Sequence, residues 1–324
     1  MKHIAVFTSG GDSPGMNACI RAVVRTALFE GLKATGIYRG YQGMIEGEFM
    51  EMSAHHVSNI IQSGGTILQS ARSSDFRTAE GRRKAYENIK AHGVDGIVAI
   101  GGDGTFTGAN IFMQEYPDIS IVGCPGTIDN DLFGTDYTIG YDTAINTAMT
   151  AIDNIKDTAN AHGRLFFVEV MGRDAGFIAL LSGLATGAED ILIPEFHTDM
   201  DDLVNRLEQG FQKKKNSSIV VVAEGDDAGG AIHVAEEVKK RLSRETEIKV
   251  TILGHVQRGG RPTCMDRVRA SRMGMAAVYA LMEGQKGVMI GEINRQISYT
   301  PFEQTIKHNF EINPALIKMV RVLA

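Results

Sequence analysis

Cysteine is scarce in this 324-residue chain. Its three cysteines, Cys19, Cys124 and Cys264, are odd in number, and their spacing fits neither a disulfide framework nor a zinc site. A reducing, cytoplasmic setting is the simple expectation. Long apolar runs are also lacking. No stretch approaches the ~18 apolar residues of a membrane span. The early run Ile4 to Phe7 is too short for the core of a signal peptide and soon meets glycine. Excess positive charge is missing as well: 33 basic against 39 acidic residues give a net charge of −6. The chain therefore lacks the basic footprint of a nucleic-acid binder. Neither nucleic acid nor membrane is an expected partner. Short repeats, low-complexity tracts and Pro-rich linkers are absent too, so domain boundaries are weakly marked.

What is present points to a folded enzyme. Hydrophobic residues make up 43% of the chain, which argues against disorder. The length allows two ordinary domains. The 37 glycines cluster after short β-branched runs. Ile4-Ala5-Val6-Phe7 precedes Gly10-Gly11, Gly96-Ile97-Val98-Ala99-Ile100 precedes Gly101-Gly102, and Ile119-Ser120-Ile121-Val122 leads to Gly126. Phe166 to Val170, Ile219 to Ala223 and Val250 to Leu253 repeat the pattern. Such runs suit strands of a parallel sheet covered on both faces. Helical periodicity fills residues 17–30, 144–161 and 203–213 between them. The alternation predicts a doubly wound α/β fold with ligands beyond the carboxyl ends of the strands. Residues 136–140 precede a long helix and are a candidate crossover.

Three glycine loops carry the candidate chemistry. Thr8-Ser9-Gly10-Gly11-Asp12-Ser13-Pro14-Gly15-Met16-Asn17 joins a strand to a helix, where backbone N–H groups and the helix dipole favour an anion. A tight turn without ligand is the plain alternative. Met16 stands where a P-loop needs Lys, so that motif is excluded. Gly11-Asp12-Ser13-Pro14-Gly15 mimics a hydrolase nucleophile elbow. Pro14 lacks the N–H which that oxyanion hole requires. In Gly101-Gly102-Asp103-Gly104-Thr105, Asp103 could hold Mg²⁺ beside phosphate, and Thr105 could cap the next helix and reach a phosphate. In Pro125-Gly126-Thr127-Ile128-Asp129-Asn130-Asp131, the two aspartates share one face if strand geometry continues. One could then take a hydroxyl proton while the other supports metal; an Asx-rich turn is the alternative. Arg72, Arg77 and Arg173 are candidate phosphoryl-binding cations, or ordinary surface arginines. His255 and Arg258, before Gly259-Gly260, could hold a second phosphate.

In this order, the segments resemble the bacterial ATP-dependent 6-phosphofructokinase family, from Ile4 to about Asn294. The resemblance implies two Rossmann-like three-layer α/β/α domains with largely parallel sheets and the site between them. Residues 1–140 plus about 257–306 would bind ATP; 141–256 plus about 307–324 would bind fructose 6-phosphate. It implies glycolytic transfer of a phosphoryl group from ATP to the 1-hydroxyl of fructose 6-phosphate, with Mg²⁺ at Asp103. Asp129 matches the general base, aided by Thr127, Arg72 and Arg173. Gly11, Tyr41, Arg72, Ser73, Arg77, Gly102, Asp103, Gly104, Thr105 and Gly108 match the ATP site. Thr127, Ile128, Asp129, Met171, Gly172, Arg173, Glu224, His255 and Arg258 match sugar contacts. Arg164 and Lys249 would reach the sugar of a neighbouring subunit, which implies a homotetramer. Gly104 and Gly126 replace the Asp and Lys of pyrophosphate-using relatives and favour ATP.

Departures accompany the match. Lys249 replaces a customary Arg and loses its bidentate fork, and Ser73 replaces an aromatic. An effector site for ADP or phosphoenolpyruvate is approximated by Arg21, Arg25, Lys156, Gly187, Glu189, Lys213 and Lys215. Ala54 stands there for an arginine, Asn59 for an aspartate, and Asn216-Ser217 for part of a basic stretch. Weak ADP activation is therefore expected; a solvated helix end is the alternative for the lysines.

Overall fold

The computed structural model describes residues 1–212, 218–305 and 312–323, apart from the side chains of His162 and Arg321. The chain divides into two compact units, Met1–Thr143 with Arg258–Asn309, and Ala144–Gln257 with Phe310–Ala324.

In the first unit, β1 (His3–Thr8), α1 (Met16–Phe29), β2 (Lys33–Ile37), α2 (Gly40–Glu46) and β3 (Phe49–Glu51) come first. There follow α3 (Ala79–Ala91), β4 (Gly96–Gly101), α4 (Asp103–Glu115), β5 (Ser120–Pro125) and the start of α5 (Tyr141–His162). The second unit holds the rest of α5, then β6 (Leu165–Val170), α6 (Phe177–Thr186), β7 (Asp190–Leu192), α7 (Met200–Gln212), β8 (Ser218–Ala223), α8 (Gly230–Arg241) and β9 (Ile248–Ile252). The chain returns to the first unit for α9 (Cys264–Met282), β10 (Val288–Ile293), β11 (Gln296–Pro301) and α10 (Phe302–Thr305); α11 (Pro314–Leu323) belongs to the second.

The first sheet runs β11-β10-β5-β4-β1-β2-β3. Its inner strands are parallel, and β3 and β11 are antiparallel edges. Within each apolar run the side chains alternate between two cores. Ile4, Val6, Val98 and Ile100 pack with Ile20, Val23 and Val24 of α1 and Met273 of α9. Ala5, Phe7, Ile97 and Ala99 pack with Phe106 and Phe112 of α4. Each buried Ile, Val, Phe or Met side chain among these contributes roughly 1.5–3 kcal/mol. The strand order reverses between β1 and β4, so the loops after these strands diverge and open a crevice, where α/β sheets bind ligands.

The second sheet, β7-β8-β6-β9, is parallel throughout. Here one expectation fails. The sequence pattern at Val250 predicts a strand covered on both faces, yet β9 is an edge strand that leaves Val250 and Ile252 exposed. Its apolar pattern alone could not distinguish an edge from a centre. Among the described residues no helix is long and apolar enough to cross a membrane.

Candidate active site

The first two glycine loops lie at the strand-order switch. Gly10 has φ +84°, a conformation that glycine adopts at little cost. The loop is held by its neighbours: Ser9 N donates to Ile100 O at 3.0 Å, and Ser70 Oγ donates to Gly10 O at 2.5 Å. The latter bond anchors the segment that carries Arg72, as does Thr8 Oγ1 bonding Gln69 O at 2.7 Å. Asn17 Nδ2 reaches Ser63 O and Gly64 O, both at 3.1 Å. Arg72 and Arg77 are exposed. A Cβ added at Gly11 would lie 1.6 Å from Arg258 Nη1. The space that glycine leaves there is filled by the Arg258 guanidinium, bringing one expected phosphate grip against the other loop.

In the second loop Asp103 and Gly104 are exposed at the first turn of α4, whose N-cap is Gly102. Thr105 does not cap the helix. The chain turns helical two residues earlier, so Thr105 falls inside the first turn, and its Oγ1 contacts Ser9 O at 3.4 Å. Tyr41 is 6% exposed; its hydroxyl donates to Thr105 O at 2.6 Å and its ring stacks on Phe76 at 3.9 Å. Burial raises its phenol well above the ordinary value. Gly108 faces this ring, and a Cβ there would lie 3.2 Å from it. Tyr41 and Gly108 thus pack beneath the loop. Ser73 Oγ donates to Gln42 Oε1 at 2.7 Å and accepts from Phe76 N at 3.1 Å, closing a turn. Space at a Gly104 Cβ is open, whereas one at Gly126 would meet Met16 Cε at 2.9 Å.

The third loop departs from strand geometry. Strand β5 ends at Pro125, and Asn130 takes a left-handed φ of 55°. Alternation therefore does not put Asp129 and Asp131 on one face. Asp129 is 8% exposed, with its N–H on Thr127 Oγ1 at 3.2 Å, and Ile128 is buried beside it. Thr138 braces the loop from behind: its Oγ1 donates to Thr127 O at 2.6 Å and its N–H to Asn130 Oδ1 at 2.7 Å. A buried carboxylate two residues from a hydroxyl, in a loop joined to the second glycine loop through Gly126 N on Gly101 O at 2.9 Å, can serve acid–base chemistry.

In the second unit the candidates again follow strand ends. Met171, Gly172 and Arg173 follow β6, and Glu224 follows β8. Glu224 Oε1 accepts from Arg173 N at 2.8 Å and Gly172 N at 3.3 Å. Arg173 has φ 55°, and a Cβ at Gly225 would sit 1.9 Å from Arg173 O. These two loops are interlocked, and the Arg173 and Glu224 side chains are exposed. His255 and Arg258 share the 3-10 turn Gly254–Arg258, where the chain passes between units. Sequence reasoning missed Glu247, which holds both Arg164 Nε at 2.7 Å and Lys249 Nζ at 3.0 Å. These two cations lower its carboxyl below the usual range. Its position two residues before Lys249 on a strand flank was an available signal. Nothing in the sequence pointed to Gln42.

Of the effector candidates, Arg21 and Arg25 lie on α1 in the first unit; Lys156, Gly187 and Glu189 lie in the second. Lys156 Nζ donates to Thr186 O at 2.6 Å at the C-terminus of α6. Lys213 and Lys215 fall outside the described residues. Among the described residues no cluster of three metal-ligating side chains occurs. Asp103, exposed at the first turn of α4, offers the kind of carboxylate oxygen that a hard cation such as Mg²⁺ takes.

A family profile described as phosphofructokinase matches residues 3–281. ATP-dependent 6-phosphofructokinase 2 of Bacteroides thetaiotaomicron is 55% identical over 324 residues, covering 100% of this chain and 99% of that protein. ATP-dependent 6-phosphofructokinase 1 of Thermus thermophilus is also 55% identical, with 100% of both covered. The solved phosphofructokinase of Pichia pastoris in the T-state superposes with a TM-score of 0.89 at 37% identity, over 94% of this chain and 35% of that longer one. Fold and strand-end loops place the chain among the doubly wound α/β proteins. It belongs to the phosphofructokinase family.

Proposed function

We propose that this chain is an ATP-dependent 6-phosphofructokinase of glycolysis, transferring the γ-phosphoryl group of ATP to the 1-hydroxyl of fructose 6-phosphate to give fructose 1,6-bisphosphate and ADP. The observation that carries the reading is full-length identity of 55% to enzymes of that name. The first unit binds ATP through the loops after β1 and β4, and the second binds the sugar through Met171, Gly172, Arg173, Glu224 and His255. Asp129 takes the hydroxyl proton; its backbone N–H on Thr127 Oγ1 and its burial hold the residue in place within the loop. Arg72 and Arg173 stabilise charge on the transferring group. Asp103 would hold Mg²⁺, which when bound neutralises phosphate charge. Open space at Gly104 leaves room for a nucleotide, supporting ATP over pyrophosphate.

The enzyme works as a cytoplasmic homotetramer. The exposed apolar edge at Val250 and Ile252 suits cover by a second copy, and Arg164 and Lys249 would there reach the neighbour's sugar. ADP activates weakly through the incomplete effector set. A coupled assay with fructose 6-phosphate and Mg²⁺, run with ATP and with pyrophosphate, tests the reading. Turnover with ATP alone is expected. Turnover with pyrophosphate alone would refute the donor, and none with either would refute the reaction.

A further inference from the structure

One fully buried carboxylate in the first unit has no place in the reaction above. Asp266, 0% exposed in the first turn of α9, faces away from solvent, and among the described residues its carboxylate is met by backbone N–H and hydroxyl donors rather than by a cation. It collects these donors from the segment that begins α5. Oδ1 accepts from Gly140 N at 2.9 Å. Oδ2 accepts from Thr143 N at 2.8 Å and Thr143 Oγ1 at 2.5 Å. These N–H groups open a helix and have no intrahelical acceptor, so a carboxylate satisfies them and complements the helix dipole. The same cluster ties in the phosphate-grip loop. Thr143 Oγ1 accepts from Thr263 N at 3.0 Å, and Thr263 Oγ1 accepts from Asp266 N at 3.2 Å while donating to Asp142 at 2.5 Å.

The segment held by Asp266 is the one that braces the base. Ile139, adjacent to Gly140, donates its N–H to Pro125 O at 2.7 Å. Thr138 bonds Thr127 O and Asn130 Oδ1 on either side of Asp129. The segment also backs the first glycine loop: a Cβ at Gly140 would lie 2.6 Å from Ser13 Cβ, and one at Gly15 2.8 Å from Ile139 Cγ2. Farther along α9, Arg269 lies 3.7 Å over the Tyr137 ring. Helix α9 thus grips residues 137–143 at two points.

We propose that Asp266 is a positioning residue for phosphoryl transfer: by fixing Gly140 and Thr143 to α9, it sets the 138–139 brace that places Asp129. The proposal rests on the assignment of Asp129 as base. Burial pushes the Asp266 carboxyl up to about 6, against the lowering effect of its bonds to Thr143 and Gly140. Asp142 is the ionisable neighbour that faces it from α5 and raises it further. A carboxyl held above its unfolded value adds stability as pH falls from about 6 towards the ordinary range near 4, and its ionisation detracts from stability above that window.

The test compares Asp266→Asn and Thr143→Val with the parent enzyme, reading kcat, KM and melting temperature from pH 5 to 8. An Asn amide cannot accept from both Gly140 and Thr143, so kcat should fall by up to ~100-fold, as for a misplaced catalytic group. KM for ATP should change less than about twofold, since the glycine backbone that meets ATP is retained. Thr143→Val removes a bond that favours the ionised form, so the acid limb of its kcat profile should move to higher pH. The parent should gain melting temperature between pH 7 and 5, and Asp266→Asn should lose that gain. Unchanged kcat and acid limb in both variants, or a loss that only tracks the unfolded fraction, would overturn the proposal. If Asp266→Asn does not fold, the Thr143→Val limb decides alone. A parent without turnover would sink the base assignment and the kinetic claim with it, and the melting comparison would still read the buried carboxylate.

Discussion

The two units bring candidate chemistry to their strand ends by different means. In the first, the loops are backbone constructions. Gly10, Gly11, Gly126 and the brace at 138–140 approach so closely that most added methyl groups would strike a neighbour, and Asp129 is nearly buried. In the second, the candidates Arg173, Glu224, Lys249 and His255 are exposed side chains. Carboxylates orient several of them: Glu224 takes the Arg173 turn, and Glu247 holds Arg164 and Lys249. A backbone site has little freedom to adjust, whereas exposed ion pairs are weak and screened. Substitutions in the first unit should therefore alter turnover or geometry sharply, and those in the second should tune affinity.

The largest expected effect sharpens that contrast. Asp129→Ser should lower kcat by about 10²–10⁴-fold, the usual contribution of a general base, with the melting temperature unchanged. Steady-state kinetics beside thermal melting check it, and full activity would remove Asp129 from the base role. A middle-sized effect separates two glycines of the first unit. Gly11→Ala should displace the Arg258 guanidinium and raise KM for fructose 6-phosphate roughly tenfold, the scale of one weakened charge-assisted hydrogen bond. Gly104→Ala, facing open space, should leave that KM alone. Equal effects would break the argument from packing. The smallest effect belongs to the second unit. Glu247→Gln should shift KM for the sugar a few-fold through Arg164 and Lys249, with kcat and melting temperature unchanged. A large loss of kcat there would show that the second unit is as tightly built as the first.

Much of this was legible in the sequence because strand, glycine turn and helix alternate with distinct periodicities. The runs at Ile4, Gly96 and Phe166 and the helices at 17–30, 144–161 and 203–213 are strongly patterned, so their type was clear. Strands β2, β3 and β7 carry weaker patterns and were not singled out. Strand β9 was read as buried because an apolar run does not state its number of neighbours. Thr105 was expected as a cap because its residue type suits one; the helix began at Asp103, and the hydroxyl turned inward to Ser9.

By itself, the sequence determined the fold class, the phosphofructokinase resemblance and the residues that carry it, because local periodicity and loop composition act over neighbouring positions. The tertiary structure alone decided what fills the space above Gly11, that Tyr41 lies under the loop, and that Asp129 and Asp131 do not share a strand face. It also decided that Asp266, far along the chain, binds Gly140 and Thr143. These are contacts between segments distant in sequence, set by sheet order and packing, and no local pattern encodes them.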